Sequence, residues 1–344
     1  MKKKMTITSL LRGVMGIVAS AALTACDGMI YDDGGECETT YSVTFTYTMN
    51  TSYADAFAHY APTVTLCAFD GDGTLAYTKT VDGATLAANG QTMDVSDITP
   101  GTYTIVAWAE GETVTDGCYE YGGLTVGSTK TDDVTCRLTR DDDGGAGWQL
   151  TPLFHGMAED ADLTEPSGGG ERNVTVDLTK DTNELTVILQ HLSGEAVDAA
   201  DFSFSVTDNN GTLAYDNSLL ADDITYQAYE TATGEATLYD DDEEDDSAQT
   251  TVSAAIARFS LNRLFADGDT RLTISDGDGA RVLSIPVTDY ALLVKSNYGE
   301  LTDQEYLDRE DDYSMTFFLD ESDSWYSASI IINGWRVVME DMDM

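Results

Sequence analysis

Ser42-Val43-Thr44-Phe45-Thr46-Tyr47-Thr48-Met49 decides the fold of this chain. Val43, Phe45, Tyr47 and Met49 recur with a period of two, and threonines fill the positions between them. That is the pattern of a strand with one buried face. Outward from this stretch the same texture continues. Residues 63–69 place Val64, Leu66 and Ala68 in phase, and residues 102–108 form a strand after Asp97-Ile98-Thr99-Pro100-Gly101. Pro100-Gly101 suits the centre of a type II turn, where proline presets φ and glycine accepts a positive φ. Further strands are expected at 173–178, 184–190, 201–207, 251–261, 271–275, 281–287, 314–319 and 327–338. Only 53–59 and 303–309 read as short helices. Many short strands separated by Gly, Asp and Asn turns predict an all-β protein built of sandwiches rather than an α/β fold.

A nine-residue segment recurs within the chain. Phe69-Asp70-Gly71-Asp72-Gly73-Thr74-Leu75-Ala76-Tyr77 is echoed by Thr207-Asp208-Asn209-Asn210-Gly211-Thr212-Leu213-Ala214-Tyr215, and more weakly by Ser275-Asp276-Gly277-Asp278-Gly279-Ala280. Each reads as a hairpin with an acidic glycine turn. The spacing of the first two suggests two related sandwich domains, at 41–139 and 150–344. The acidic, glycine-rich run 140–149 (Arg140-Asp141-Asp142-Asp143-Gly144-Gly145 onward) then reads as the linker. Residues 240–246 read as a solvated acidic loop.

The chain starts with Lys2, Lys3 and Lys4, runs through an apolar stretch, and reaches Leu23-Thr24-Ala25-Cys26. A cationic start, a short apolar segment and small residues before the cut describe a secretory signal at 1–25. The cysteine after Leu-x-Ala makes it a lipobox. Cys26 becomes the lipidated N-terminus of a tether at 26–40, with each buried CH₂ of the acyl chains contributing roughly 0.8 kcal/mol. Arg12 interrupts the apolar stretch, which is too short to span a bilayer.

The whole chain has 62 acidic residues against 17 Lys and Arg, a formal net charge of −45. Loss of Lys2, Lys3, Lys4 and Arg12 with the leader leaves 13 basic residues, hence a net charge of −49. Such a surface repels nucleic acid and anionic headgroups, so neither is an expected partner, and attachment to a membrane falls to the lipid. Cys37, Cys67, Cys118 and Cys136 allow two disulfides with three connectivities, or buried free thiols.

No motif points to catalysis. Asp70-x-Asp72 and Asp276-x-Asp278 begin like calcium loops, but Thr74 and Ala280 replace the third oxygen ligand and ordinary turns are expected. His59, His155 and His191 lack zinc-site spacing. There is no nucleophile elbow, phosphate loop or dinucleotide fingerprint. With 62 acids, a pair of carboxylates at glycosidase spacing carries no information. A non-enzymatic protein with no cofactor and no metal is expected.

Several segments, in order, resemble the FimB-like fimbrial anchor subunits of Gram-negative anaerobes, part of the type V pilus system. They are Cys26, Cys37, Val43-x-Phe45-x-Tyr47, Ala54-Asp55-Ala56-Phe57, 64–70, Pro100-Gly101-Thr102-Tyr103 and Leu150-Thr151-Pro152-Leu153-Phe154-His155-Gly156. The later ones are Lys180-Asp181-Thr182-Asn183, Tyr215-Asp216-Asn217, Gln304-Glu305-Tyr306-Leu307-Asp308-Arg309, 315–320 and Ile332-Asn333-Gly334-Trp335. The resemblance implies two tandem transthyretin-like β-sandwiches and an outer-membrane lipid anchor of palmitate type. It also implies a place at the base of a fimbrium, with stalk or accessory pilins as partners joined by β-strand addition. In that family, stalk subunits lose their lipid and first strand to an arginine-directed protease. Here no Lys or Arg occurs between Arg12 and Lys79, so the strand at 43–49 and the lipid are expected to stay. An accessory or tip adhesin, and a glycan-binding or glycan-degrading surface lipoprotein, are the competing expectations.

Overall fold

The computed structural model describes residues 39–237, 251–320, 322–326 and 329–338. The lipobox, Cys37 and the acidic loop at 240–246 lie outside them. Seven strands of the described chain form one sheet: β1 (Thr40–Met49), β2 (Thr63–Phe69), β3 (Leu75–Val81), β4 (Thr92–Asp94), β5 (Gly101–Glu110), β8 (Leu153–Leu163) and β9 (Glu171–Lys180), in the order β3-β2-β5-β8-β9-β1-β4. The sheet curls until its two edges meet. Lys79 Nζ on β3 donates to the carbonyl of Asp94 on β4 at 2.6 Å, and Tyr77 Oη donates to Asp97 at 2.7 Å. The enclosed core holds Val43, Phe45, Tyr47, Leu66, Ile105, Phe154 and Val176. Two short helices, α1 (Phe57–Tyr60) and α2 (Gly83–Ala88), plug it with Phe57 and Leu86. Asp82 caps α2 by accepting from the Thr85 amide at 2.9 Å, an N-cap that satisfies a free helix-end donor.

β2 and β5 are buried on both faces. Leu66 and Ala68 point into the first core, while Cys67 and Phe69 join a second; Ile105 and Ala107 divide from Val106 and Trp108 in the same way. This is why both strands are nearly continuous apolar runs. The second core is closed by a six-stranded sheet, a four-stranded sheet and a further small sheet. The six strands are β10 (Asn183–His191), β15 (Glu230–Thr237), β16 (Thr251–Leu261), β19 (Asp312–Leu319), β20 (Ser329–Ile332) and β21 (Trp335–Val338), in the order β15-β16-β10-β19-β20-β21. The four are β11 (Phe202–Asp208), β14 (Ile224–Gln227), β17 (Arg271–Asp276) and β18 (Arg281–Pro286), in the order β14-β11-β17-β18. The small sheet joins β6 (Tyr119–Tyr121) and β7 (Thr135–Leu138) to β12 (Thr212–Ala214) and β13 (Leu219–Leu220). Helices α3 (Val287–Leu292) and α4 (Asp303–Arg309) lie beside β18 and β19 in sequence. The expected all-β sandwich architecture is what the chain adopts.

Four local expectations need correction. The run at 140–149 does not separate the sheets: β8 and β9, beyond it, complete the first sheet, and β7, before it, pairs with β12 on one side and β6 on the other. The chain passes from first sheet to six-stranded sheet at Asp181-Thr182, between β9 and β10. Residues 141–145 are a tight turn in which Asp141 accepts from the amides of Asp143 (3.0 Å) and Gly145 (2.8 Å). Secondly, Gly101 is not among the residues with positive φ; it opens β5 and pairs with Leu163, so Pro100-Gly101 is not a type II turn. The corner is instead held by Tyr103 Oη donating to the Thr99 carbonyl at 2.5 Å. Thirdly, the strand expected at 327–338 is a hairpin, β20 and β21, turned at Asn333 (φ 48°) and Gly334 (φ 80°). The helix expected at 53–59 is reduced to α1.

The internal echo divides. Asp70 and Asp276 make the same turn: each Oδ1 accepts the amides two and four residues on, followed by a glycine with positive φ, Gly73 or Gly279. Asp320 repeats the carboxylate pattern with Ser322 and Ser324. The stronger sequence copy does not form it. Asp208 ends β11, which pairs with β14 and β17 and not with β12, and Asp208 Oδ2 accepts from Thr270 at 2.5 Å. The turn aspartates use their carboxylates to cap their own backbone, which accounts for their place in the sequence without a cation.

Candidate functional site

The first strand sits in a slot rather than at an edge. β1 runs parallel to β9 from Thr40–Glu171 to Met49–Thr179, and antiparallel to β4 over Ser42–Asp94 to Thr44–Thr92. Tyr41, Val43, Phe45 and Tyr47 all point inward and are buried. Apolar side chains of this size stabilise by roughly 1.5–3 kcal/mol each when fully buried. The threonine face is also occupied. Asn173 Nδ2 donates to Ser42 Oγ and Thr44 Oγ1 at 2.8 and 2.9 Å. Asp177 accepts from Thr46 Oγ1 (2.8 Å), the Thr48 amide (2.9 Å) and Thr48 Oγ1 (2.5 Å), pinning the bulge where the register slips.

Both ends are clamped. The Thr40 amide donates to the Gly170 carbonyl, and the Val95 amide to that of Tyr41. At the other end Arg309 of α4 donates through Nη1 to the carbonyls of Thr48 (3.1 Å) and Asn50 (3.2 Å), lies 4.3 Å from the Tyr53 ring centroid, and pairs with Glu305. α4 forms because Thr302-x-x-Glu305 starts it, Thr302 Oγ1 accepting from the Glu305 amide at 3.1 Å. Thus a helix near the end of the chain holds the end of the first strand.

Behind the slot lies a buried polar joint between the two cores. Arg263, after β16, donates to Asp308 of α4 with two nitrogens, Nε to Oδ1 at 2.9 Å and Nη2 to Oδ2 at 2.8 Å, and also to the Asn217 carbonyl. Asp181 is fully buried, 3.9 Å from Arg263 Nε, and accepts from Asn217 Nδ2 at 2.8 Å; its Oδ2 has no hydrogen-bond partner among the described residues. His155 on β8 donates through Nε2 to the Tyr215 carbonyl at 2.7 Å, and burial lowers its pKa to about 4. Lys180 and Asp311 pair at 2.5 Å. Apart from Arg263 and Asp311, these residues come from 150–156, 180–183, 215–217 and 304–309, four of the segments on which the family resemblance rests.

Burial is the main reason that Asp181 is raised to a pKa of about 7, with Arg263 and Asn217 acting against the shift. A carboxyl whose folded pKa lies above its unfolded value stabilises while protonated and loses that contribution as pH rises towards 7. Asp181→Asn removes the titration. Its melting temperature, measured against the parent from pH 5 to pH 8, is expected to move upward relative to the parent across that range. A difference constant with pH would show that Asp181 stays charged throughout.

The sequence-predicted lipidation residue, Cys26, lies outside the described residues, as does Cys37. Among the described residues, Cys67, Cys118 and Cys136 are free and buried, the alternative left open beside the disulfides. Burial pushes the Cys67 thiol up to about 11. His155 and His191 are apart, the first in the joint and the second 3.1 Å from Asp323. Sequence reading missed Arg263 and Asp181 as partners and Arg309 as the clamp on β1, although it expected the helix at 303–309 that carries Arg309.

Residues 34–341 match the family described as Fimbrillin-A associated anchor proteins Mfa1 and Mfa2. The minor fimbrium anchoring subunit Mfa2 of Porphyromonas gingivalis is 25% identical over 233 residues, 67% of this chain and 69% of that protein. A candidate adhesin from Bacteroides thetaiotaomicron has a crystal structure that superposes with a TM-score of 0.74 at 30% identity, over 90% of this chain and 100% of that one. A second crystal structure from that organism, a candidate polysaccharide-binding protein, gives a TM-score of 0.74 at 27% identity, over 88% and 99%.

Proposed function

This chain belongs to the family of fimbrillin-A associated anchor proteins, and we propose that it is a non-enzymatic outer-membrane lipoprotein that fixes a fimbrium to the cell surface through lipid on Cys26 and limits the fibre's length. The observation that carries the proposal is the filled slot. β1 is bonded on both sides, buried on one face and clamped at both ends. No basic residue between Arg12 and Lys79 offers an arginine-directed protease a cut that would free β1 or the lipid. A subunit that keeps its own strand cannot accept a neighbour's strand in the same place. It therefore ends the fibre on that side while stalk or accessory pilins join it elsewhere by β-strand addition.

Cys26→Ala tests the anchor. Cells carrying it are expected to release the protein and its fimbriae into the medium, read by immunoblot of supernatants and by electron microscopy. Fimbriae that remained attached at normal length would sink the proposal. An accessory or tip adhesin is the second reading, favoured by the likeness to the Bacteroides candidate adhesin; immunogold label at fibre tips rather than at their bases would establish it.

A further inference from the structure

On the outer face of the first sheet, opposite its core, a cavity of about 460 Å³ opens between β2, β5 and the segment carrying β6. It is lined by Thr63 and Thr65 of β2, Trp108 and Glu110 of β5, and Tyr121 and Leu124. We propose that this cavity binds a neutral sugar ring, giving the chain a carbohydrate-binding site separate from the slot of β1 and independent of the anchor reading.

The lining chemistry selects that class. The volume falls within the range of small-molecule sites, about 300–1,000 Å³. Tyr121 is the exposed aromatic of the lining, 38% accessible, and can offer its ring to the C–H face of a pyranose. It is held in place: its hydroxyl donates to Glu110 Oε1 at 2.9 Å, and its ring lies 6.3 Å from Trp108. Trp108 is braced in turn by the edge of His155 at 4.6 Å. The site is thus largely formed before a ligand arrives. Thr63, Thr65 and Glu110 supply hydroxyl and carboxylate groups of the kind that pair with sugar hydroxyls; Thr65 already shares a 2.8 Å bond with Thr80 across the strands.

Other ligand classes fit less well. Among the described residues no Lys or Arg lines the cavity, and the chain's net charge is −45, so phosphates and acidic sugars are disfavoured. A wholly apolar ligand would strip water from Glu110 and the threonines without replacing their hydrogen bonds. A ring with apolar faces and a hydroxyl rim meets both requirements.

The test is titration of the full chain in detergent with methyl glycosides of glucose, galactose, mannose, N-acetylglucosamine and N-acetylgalactosamine, in both anomers, with p-cresol as an aromatic control. Binding is read by tryptophan fluorescence and by calorimetry. At least one glycoside is expected to saturate. Tyr121→Ala should weaken it by about tenfold or more, the loss of one good contact, whereas Tyr121→Phe, which keeps the ring and its packing on Trp108, should retain it. Thr63→Trp, which fills the mouth from an exposed strand position, should abolish it. Failure of every glycoside to saturate, saturation that neither Tyr121→Ala nor Thr63→Trp alters, or tighter binding of p-cresol than of any glycoside would overturn the proposal. The last outcome would make the cavity a receptor for a partner's aromatic side chain.

Discussion

Phe45→Ala is expected to lower stability by about 3–5 kcal/mol, the usual cost of deleting a buried phenylalanine side chain. Phe45 is fully buried at the middle of β1, its ring 6.3 Å from that of Phe57, and its amide donates to the Gln91 carbonyl. The residue therefore joins the strand to the helix that plugs the first core. A cavity there cannot be refilled by Phe57 alone, because α1 is held by Asp55, which accepts from both the Phe57 and Tyr47 amides. Thr46→Ala is the control. It removes one 2.8 Å bond to Asp177 on the solvent side and should cost about 1 kcal/mol. Urea unfolding of both variants decides the matter. Equal costs would mean that β1 is held by its edges and not by its buried face, and the idea of a strand locked in place by its core would fail.

The alternation at 42–49 was enough to identify this strand, its buried face and the all-β class, because a period of two is a local property. Its neighbours are not local. β1 pairs with β9, which lies beyond the acidic glycine run that looks like a linker. That run has linker composition because a tight turn needs the same residues: an aspartate to accept backbone amides and a glycine at positive φ, here Gly144. The same economy explains the internal echo. Asp-x-Asp-Gly encodes a turn at Asp70 and Asp276, whereas at Asp208 the similar residues serve a strand end and a buried Asn210 bonded to Tyr226. Turn chemistry is legible in sequence; whether two flanking strands pair is settled by distant contacts.

Continuous apolar runs carried more information than their alternation alone. Cys67, Phe69, Val106 and Trp108 are out of phase with the first core, and they are the residues that bind the seven-stranded sheet to the second core. The polar joint was hidden for a different reason. Asp181, Asn217, Arg263 and Asp308 lie on four separate segments, and an isolated charge in a chain with 62 acids gives no sign that it will be buried. Only the family resemblance gathered three of those segments, without saying that they touch.

The joint gives the second large expectation. Arg263→Met should destabilise the chain by about 3–5 kcal/mol, the cost of leaving buried charge without its partner. Arg263 is the cation between Asp308, at 2.8 Å, and Asp181, at 3.9 Å. Its loss leaves two carboxylates in a poorly hydrated place, where burial first and the Asp308 charge after it favour the protonated form of Asp181. The penalty must then depend on pH in a definite sense. Asp181 already holds its proton up to about pH 7, and losing the Arg263 charge raises it further, so the added cost is small at pH 5 and grows as pH rises beyond 7 towards 8, where the carboxyl is driven to ionise unpaired. Combining Arg263→Met with Asp181→Asn and Asp308→Leu should recover much of the loss, since an apolar replacement of a buried ionic group is often close to neutral. Denaturant midpoints of the single and triple variants at pH 5 and pH 8 provide the check. A loss that is small, or the same at both pH values, would mean that packing of Phe69 and Trp108 alone holds the two sandwiches together. The charge cluster would then serve only to orient α4, whose Arg309 reaches across to hold the end of β1.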